Sequence, residues 1–550
     1  MVANQKYNQT NQNNDFDAIV IGAGFSGLYM LHRLREAGLS TRVFESNSDV
    51  GGVWYVNRYP GARCDSDSII YNYTFSEEIL QEWTWTSRFP EQEEILSYLN
   101  FVANKLDLRR DIQFNTRIIA AHYDEINKRW RFQTEEGTSL TAKYFISGIG
   151  FLSTANIPKF KGLDSFKGDW YHTGNWPHEK VDFKGKRVGV IGTGSSGIQS
   201  IPIIAQEADH LTVFQRTPGY CTPARNHPYD PEFISKTKAN YSKIRNHTRN
   251  SKGGYLDTLI NNRSALDDTL EERQREYEKV WEKGGFSMQV TYNDLMVNPE
   301  ANDTAAEFIR SKISEIVNDQ EVAEKLKPKY YYGGKRPVLD TNYYETYNRE
   351  NVALVDVKSA PIAEITPNGI RTTEHEYELD MIVFATGFDG MTGPLFKIDI
   401  RGKDGLSLKE KWVNGAKVKT YLGIANAGFP NMFMITGPQS PSALSNLPVS
   451  IEQHVEWIGD CIEYLRKKGV ETIEANIDAE EAWSKHCKEL ADQSLYTKAD
   501  SWYTGANIEG KPRSFLIYIG GVQAYRQKCD EIAVRGYDGF SLTPARDTVL

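Results

Sequence analysis

Cysteine is scarce: Cys64, Cys221, Cys461, Cys487 and Cys529 are the only five in 550 residues, and no two stand in C-x-x-C spacing. That excludes a dithiol redox pair and a zinc knuckle, so no metal site is expected. Scattered single thiols fit a reducing compartment, and a cytoplasmic location is expected. No uninterrupted apolar run approaches the roughly 18 residues of a membrane-spanning helix, so no membrane segment is expected. The opening MVANQKYNQTNQNN lacks the apolar core of a signal peptide. Eight of those 14 residues are Asn or Gln, and a disordered tail is expected over 1–14. Positive charge is in deficit, 64 Lys and Arg against 73 Asp and Glu, for a net charge of −9. Neither nucleic acid nor an anionic membrane surface is an expected partner.

What is present is ordinary in bulk and specific in detail. Hydrophobic residues make up 40% and charged residues 25%. At this length two or three soluble domains are the natural expectation. The stretch DAIVIGAGFSGLYMLHRLREAGLSTRVFES reads as strand, glycine-rich turn, helix, strand. Gly22, Gly24 and Gly27 form G-x-G-x-x-G, and Leu28, Leu31 and Leu34 follow at helical spacing, with Gly38 as the stop. The first glycine permits the tight turn, the second admits a pyrophosphate close to the backbone, and the third lets helix and strand touch. Glu45, 23 residues after Gly22, ends the second strand, where a carboxylate accepts from ribose hydroxyls. The same unit recurs at KRVGVIGTGSSGIQSIPIIAQEADHLTVFQRTP, with Gly192, Gly194 and Gly197. At the position equivalent to Glu45 it has Gln215, followed by Arg216 and Thr217. A carboxylate repels a 2′-phosphate, whereas an arginine pairs with it. The first loop therefore suits FAD and the second NADPH.

The expected fold is α/β, with two dinucleotide-binding Rossmann-like domains and an inserted helical subdomain. ELDMIVFATGFDG reads as a strand with a close turn at Ala385, Thr386 and Gly387, and FPNMFMITGP as a strand returning to the flavin. The FAD domain is expected at 15–150 and 385–550, the NADPH domain at 151–224 and 334–384, and the insert at 225–333. The insert is highly charged, which marks a solvated helix face. Within it Thr304 and Glu307 read as a capping box, followed by an apolar face of Phe308, Ile309, Ile313, Ile316 and Val317.

Hydride from NADPH to flavin leaves open where the electrons go next. Without a dithiol the branch that remains is dioxygen. Two further motifs bear on this. FKGDWYHTGNWP supplies Phe166, Gly168, His172, Trp176 and Pro177 in F-x-G-x-x-x-H-x-x-x-W-[PD]. GGVWYVNRYPGARCD supplies Gly51, Gly52, Trp54, Tyr59, Pro60, Gly61 and Asp65 in [AG]-G-x-W-x-x-x-x-[FY]-P-[GM]-x-x-x-D. On both motifs the chain resembles the type I Baeyer–Villiger monooxygenases over nearly its whole length after the tail. HTGNWPHE, VFQRTP, SPSALSN and SWYTGANIEGKPR resemble its phenylacetone-oxidising branch most. The resemblance implies an NADPH- and dioxygen-dependent flavoprotein that converts ketones to esters or lactones through a flavin C4a-peroxide and a Criegee adduct, with sulfoxidation as a side activity. It implies a monomer or weak oligomer whose partners are a small ketone and dioxygen.

The resemblance also implies a set of site residues. Arg336 aligns with the family's active-site arginine, and a permanent cation suits an anion held away from water. Asp65 would pair with it, and Lys335 would join Arg216 and Thr217 on the 2′-phosphate. Ser26, Trp54, Asp65, Tyr71 and Leu447 match flavin-side positions. Arg63, Thr193, Ser195, Ser196, Gln199 and Arg336 match nicotinamide-nucleotide contacts, and Trp502 a residue covering that nucleotide. Pro337, Ser442, Leu444 and Leu447 match the substrate pocket; Pro337 and Leu447 depart from the expected Leu and Met there. FKGDWYHTGNWP shows neither strand nor helix periodicity and lies between the two nucleotide units. It reads as a hinge in which His172 hydrogen-bonds across the joint rather than acting as acid or base. Two other readings stay open: an N- or S-oxygenating flavin monooxygenase, and a flavin-binding redox sensor without turnover.

Overall fold

The computed structural model describes residues 14–257 and 259–545. The tail expected over 1–14 lies, Asn14 apart, outside the described residues. Strand Asp15–Ile21 sits between parallel strands Thr41–Phe44 and Ser139–Ser147. Ala18, Ile19 and Val20 are fully buried, as a parallel strand covered on both faces requires. Helix Phe25–Glu36 buries Leu28, Leu31 and Leu34 and stops at Gly38 in the left-handed region, φ +71°. Met432–Met434 joins the far side of Ser139–Ser147, also parallel. Met434 lies opposite Ser147, and Ser147 opposite Ile21, so three strands end side by side. Ligands of such sheets bind outside those carboxyl ends. The antiparallel strands Ile118–Asp124 and Arg129–Thr134 extend the sheet away from that edge.

A second sheet has five parallel strands in the order Val352–Asp356, His210–Gln215, Arg187–Ile191, Met381–Phe384, Asp169–His172. The last of these corrects an expectation, because part of FKGDWYHTGNWP is an edge strand. Burial runs from exposed Asp169 and Trp170 to buried His172 without alternating, so no two-residue period is written into it.

The 225–333 region is helical as expected, with helices Pro231–Lys238, Tyr241–Arg249, Leu270–Lys283, Pro299–Ile316 and Gln320–Leu326. Phe308, Ile309, Ile313 and Val317 are buried with Ile198, Ile201 and Ile204 of helix Ser195–Glu207, and Ile316 packs at the margin of this core. The insert thus shares a core with the second nucleotide unit. The expected capping box at Thr304 is not one. The helix starts at Pro299, with Asn298 as its cap accepting from the Glu300 amide at 3.0 Å. Asn followed by Pro is the stronger start signal. Thr304 lies inside the helix and donates to the Ala301 carbonyl at 2.7 Å. Reciprocal boxes stand instead at Ser264 with Asp267 and at Thr269 with Glu272, the latter opening helix Leu270–Lys283. Among the described residues no helix is long and apolar enough to cross a membrane, and no cluster could hold a metal.

Candidate active site

The first glycine loop is shaped by its own packing. A Cβ on Gly22 would lie 2.6 Å from the Gly148 carbonyl oxygen, and one on Gly27 1.7 Å from that of Gly22. Helix Phe25–Glu36 begins at Gly24 with no side-chain cap and no acid in its first turn. Its leading N–H groups, with Ser26 among them, therefore face an anion site open to a diphosphate. Glu45 is buried at the adjacent strand end. Its Oε2 accepts from the Ala23 amide at 2.7 Å and its Oε1 from the Asn47 amide at 2.9 Å. This fixes the carboxylate at the loop and leaves Oε2 able to accept a ribose hydroxyl as well. The residues present fit FAD.

The 51–65 motif runs from this loop to the second one, which accounts for its spacing. Gly52, at φ +55°, packs its backbone on Gly24, where a Cβ would be 2.9 Å from the Gly24 Cα. Trp54 donates to the Tyr71 hydroxyl at 3.1 Å, and Tyr71 meets the edge of Phe25. A Cβ on Gly61 would lie 2.3 Å from the Gln199 carbonyl oxygen. Tyr59 donates to Gln199 Oε1 at 2.8 Å, and Gln199 Nε2 donates to the Arg63 carbonyl at 3.1 Å. The Arg63 guanidinium pairs with Glu91 at 2.8 Å. Four residues after Gly61 the motif ends on Asp65.

At the second loop, Gly192 and Gly197 are again required by packing, against the Ala385 and Gly192 carbonyl oxygens at 2.5 and 2.2 Å from a Cβ. Gly194 is different: a Cβ there would meet nothing within 4 Å. The space beside it is the cradle a phosphate needs, at the uncapped start of helix Ser195–Glu207 with Ser195 and Ser196 in its first turn. Thr193 donates to the Thr217 carbonyl at 3.2 Å, closing the loop onto the next strand end. Arg216 is exposed beyond that strand. Lys335 lies 5.1 Å over the Tyr330 ring, and neither cation forms an ion pair among the described residues. Burial, then the Arg216 charge and more weakly Lys358, push the Lys335 ammonium below its ordinary range, with Asp500 opposing. Unpaired cations crowded together fit a 2′-phosphate dianion. Lys358 is absent from the expected set. It follows strand Val352–Asp356, and only the pairing of Asp356 with Gln215 brings it near Arg216.

Arg336 and Asp65, 271 residues apart, meet. Asp65 Oδ2 accepts from Arg336 Nε at 2.9 Å and lies 2.7 Å from Nη2 in the same ion pair. Nη1 donates to the Ala443 carbonyl at 2.7 Å, and the guanidinium lies 5.2 Å over the Phe286 ring. Burial alone would lower the arginine, but Asp65, Tyr255 and Tyr503 outweigh it and hold the guanidinium well above its ordinary range. Pro337 needs no donor: strand Val338–Asp340 begins after it, pairing with Cys221–Pro223. Ser442 and Leu444 flank Ala443, and Leu447 opens helix Leu447–Lys467. Trp502 stacks on Phe151 at 6.1 Å and packs, with Leu444 and Leu447, on the core that holds Ala443. Phe286 and Tyr255, both from the insert, were missed because nothing in their local sequence marks contact with residue 336.

His172 is 2% exposed at the end of the edge strand. Its Nδ1 accepts from the Gly174 amide at 2.9 Å, so the proton sits on Nε2, 3.2 Å from the Asn156 carbonyl and the Thr386 hydroxyl. Burial pushes the imidazole below its ordinary range, with the Asn156 contact opposing. With both nitrogens engaged, the ring ties the end of the edge strand to Asn156 and Thr386. Trp176 is buried against Tyr171 and Phe183, Pro177 follows it, Phe166 packs on the opposite face, and a Cβ on Gly168 would lie 2.2 Å from the Asp380 carbonyl oxygen. His172→Ala is expected to slow flavin reduction by NADPH about tenfold, as one or two buried hydrogen bonds are lost. Some ester formation should survive. Stopped-flow reduction set beside product yield reads this, and loss of oxygenation with normal reduction would make His172 catalytic instead.

Two dinucleotide loops joined by one motif, with a half-buried arginine paired to the aspartate that ends that motif and no dithiol, define a flavoprotein monooxygenase. Residues 17–263 match the flavin-binding monooxygenase-like family. The chain is 48% identical to a Baeyer–Villiger monooxygenase of Pseudooceanicola batsensis over 95% of both chains. It is 45% identical to a phenazine N-monooxygenase of Lysobacter antibioticus over 97% of this chain and 98% of that one. Its fold superposes on an NADP-bound steroid monooxygenase with a TM-score of 0.92 at 49% identity, covering 96% of this chain and all of the other. The chain belongs to the type I Baeyer–Villiger monooxygenases, FAD-containing and NADPH-dependent enzymes that insert one atom of dioxygen beside a ketone carbonyl to give an ester or lactone.

Proposed function

We propose that Arg336 is the catalytic cation of this chain and Asp65 the residue that orients it. The observation that carries this is the Asp65–Arg336–Ala443 arrangement, which fixes a permanent charge at the end of the motif that joins the two nucleotide loops. FAD, when bound, supplies the chemistry that activates dioxygen. The chain's part is to bind both nucleotides, exclude water and hold a positive charge where negative charge develops on the reacting oxygens. Gly22, Gly24, Ser26, Gly27 and Glu45 carry the FAD diphosphate and ribose, with Trp54, Tyr71 and Leu447 on the flavin side. Gly192, Thr193, Gly194, Ser195, Ser196 and Gly197 carry the NADPH diphosphate, and Arg216, Thr217 and Lys335 its 2′-phosphate. Arg63, Gln199 and Trp502 contact the rest of that nucleotide. Residues 15–150 with 385–550 form the FAD domain and 151–224 with 334–384 the NADPH domain. The protein works as a monomer or weak oligomer in a reducing cytoplasm, in keeping with five free and buried thiols.

The substrates are ketones that fit a pocket bordered by Pro337, Ser442, Leu444 and Leu447, with sulfides oxidised as a side reaction. The phenazine relative favours a second reading, oxygen transfer to a ring nitrogen. Purified holoenzyme with NADPH, a panel of cyclic and aryl ketones, a sulfide and phenazine separates the two by product mass. Ester or lactone is expected from ketones. N-oxide formed without any ester would replace the first reading with the second.

A further inference from the structure

The segment between strand Met432–Met434 and Ala443 is strained. Thr436, Gln439 and Ser442 adopt φ of +53°, +68° and +29°, a region that side chains other than glycine avoid. A β-branched residue there is an outlier that persists only where surrounding structure over-determines it, and such outliers gather at functional sites. All three are buried.

The two ends of the segment explain where strain would matter. At its start the Ile435 amide donates to the Ser147 carbonyl at 3.0 Å, at the carboxyl edge where Gly148 packs on Gly22. At its end the Ala443 carbonyl accepts from Arg336 at 2.7 Å. The segment therefore spans from the FAD side of the sheet to the guanidinium.

Its anchors are polar, and His454, Tyr525 and Thr420 among them are buried. The Thr436 amide donates to His454 Nδ1 at 2.8 Å. Since Nδ1 accepts, the proton is on Nε2, 2.6 Å from the Tyr525 oxygen. Tyr525 passes its own hydrogen to the Leu422 carbonyl. Burial, reinforced by Arg526, pushes His454 down to about 3, so the ring stays neutral and the tautomer fixed. Farther along, the Gln439 side-chain oxygen accepts from the Thr420 amide at 2.9 Å and the Ser484 hydroxyl at 3.0 Å.

We propose that His454 is a positioning residue that, by holding Thr436 in its strained turn, fixes the 436–443 segment and with it the placement of Arg336 relative to the FAD edge of the sheet. The proposal rests on the reading of Arg336 given above.

Two near-isosteric replacements separate the two bonds of the ring. His454→Asn keeps an acceptor near the Nδ1 position and so the tie to Thr436. His454→Gln reaches toward Tyr525 and loses that tie. FAD affinity is read by titrating apoprotein, and coupling as ester formed per NADPH consumed, with anaerobic flavin reduction as a control. For the Gln variant FAD binding is expected to weaken about tenfold, the worth of one buried hydrogen bond, and coupling to fall at least about threefold. The Asn variant should stay within about twofold of wild type in both. A ring that merely fills space would make the two variants alike, and that result overturns the proposal. Tyr525→Phe, which removes one oxygen and keeps the packing, decides the matter if the Gln variant does not fold. Like the Asn variant it keeps the bond to Thr436, so its coupling and FAD affinity should stay within about twofold of wild type, and a threefold or larger fall in coupling would place the effect on the Tyr525 bond and overturn the proposal. Arg336→Ala is run alongside. If it still makes ester, the reading of Arg336 fails. If it does not, while the two His454 variants behave alike, only the positioning role fails.

Discussion

Replacing Arg336 with alanine is expected to lower ester formation by ~10²–10³-fold, the usual loss when one preorganised electrostatic donor is removed. Flavin reduction by NADPH should stay within a few-fold. The guanidinium is anchored on two sides: Nε donates to Asp65, with Nη2 in ion-pair contact with the same carboxylate, and Nη1 donates to the Ala443 carbonyl. That fork holds it still before any oxygen chemistry begins, so no reorganisation is needed as charge develops. Lysine keeps the charge but lacks the planar fork that meets Asp65 and the Ala443 carbonyl from fixed directions, so Arg336→Lys should fall between alanine and wild type. Asp65→Asn leaves an acceptor but not a counter-charge. It should cost about tenfold, in line with weakening a charge-assisted bond to a neutral one. Because the arginine is held above its ordinary range, its charge does not titrate near neutral pH, and any inflection there in ester yield belongs to another group. Anaerobic stopped-flow and product quantification separate the half-reactions. Wild-type ester yield from the alanine variant would remove Arg336 from the catalytic role.

Local pattern made both nucleotide loops and their flanking strands legible, because G-x-G-x-x-G spacing and buried apolar runs act over about 30 residues. The return strand Met432–Met434 was readable for the same reason. The edge strand Asp169–His172 was not, since its burial follows tertiary position rather than alternation. The Thr304 signal misled because a capping pattern inside a helix looks like one at its start, and only the Asn298–Pro299 pair distinguishes them. Among site residues, Asp65 and Arg336 were matched through family motifs, and their contact across 271 residues follows from how the 51–65 motif is strung between the two loops. Tyr255, Phe286 and Lys358 reach the site through contacts between sheets and insert that no local spacing encodes. His454 is hidden for a further reason. A histidine on the buried face of a helix reads as core packing until its two ring nitrogens are traced.

Removing both Arg216 and Lys335 is expected to cut kcat/KM for NADPH by ~10²–10⁴-fold, since each charged hydrogen bond is worth about 1.5–3 kcal/mol. NADH, which lacks the 2′-phosphate, should change by no more than about threefold, because the diphosphate cradle at Gly194 is untouched. Among the described residues neither cation forms an ion pair, and burial first and then the Arg216 charge depress the Lys335 ammonium, with Asp500 opposing. A dianion between them relieves that repulsion. Either single variant also relieves part of it, so the two single losses need not add to the double loss, and a double-mutant cycle measures the difference. Lys358 supplies a residual charge, and its removal from the double variant should lower NADPH use further. Salt gives an independent check. The KM for NADPH of the wild type should climb with ionic strength, and that of the double variant should be nearly flat, because screening acts on exposed charges such as Arg216. Flavin reduction measured with both nucleotides decides the case. If NADPH and NADH fall by the same factor, the pair supports the loop rather than reading the phosphate.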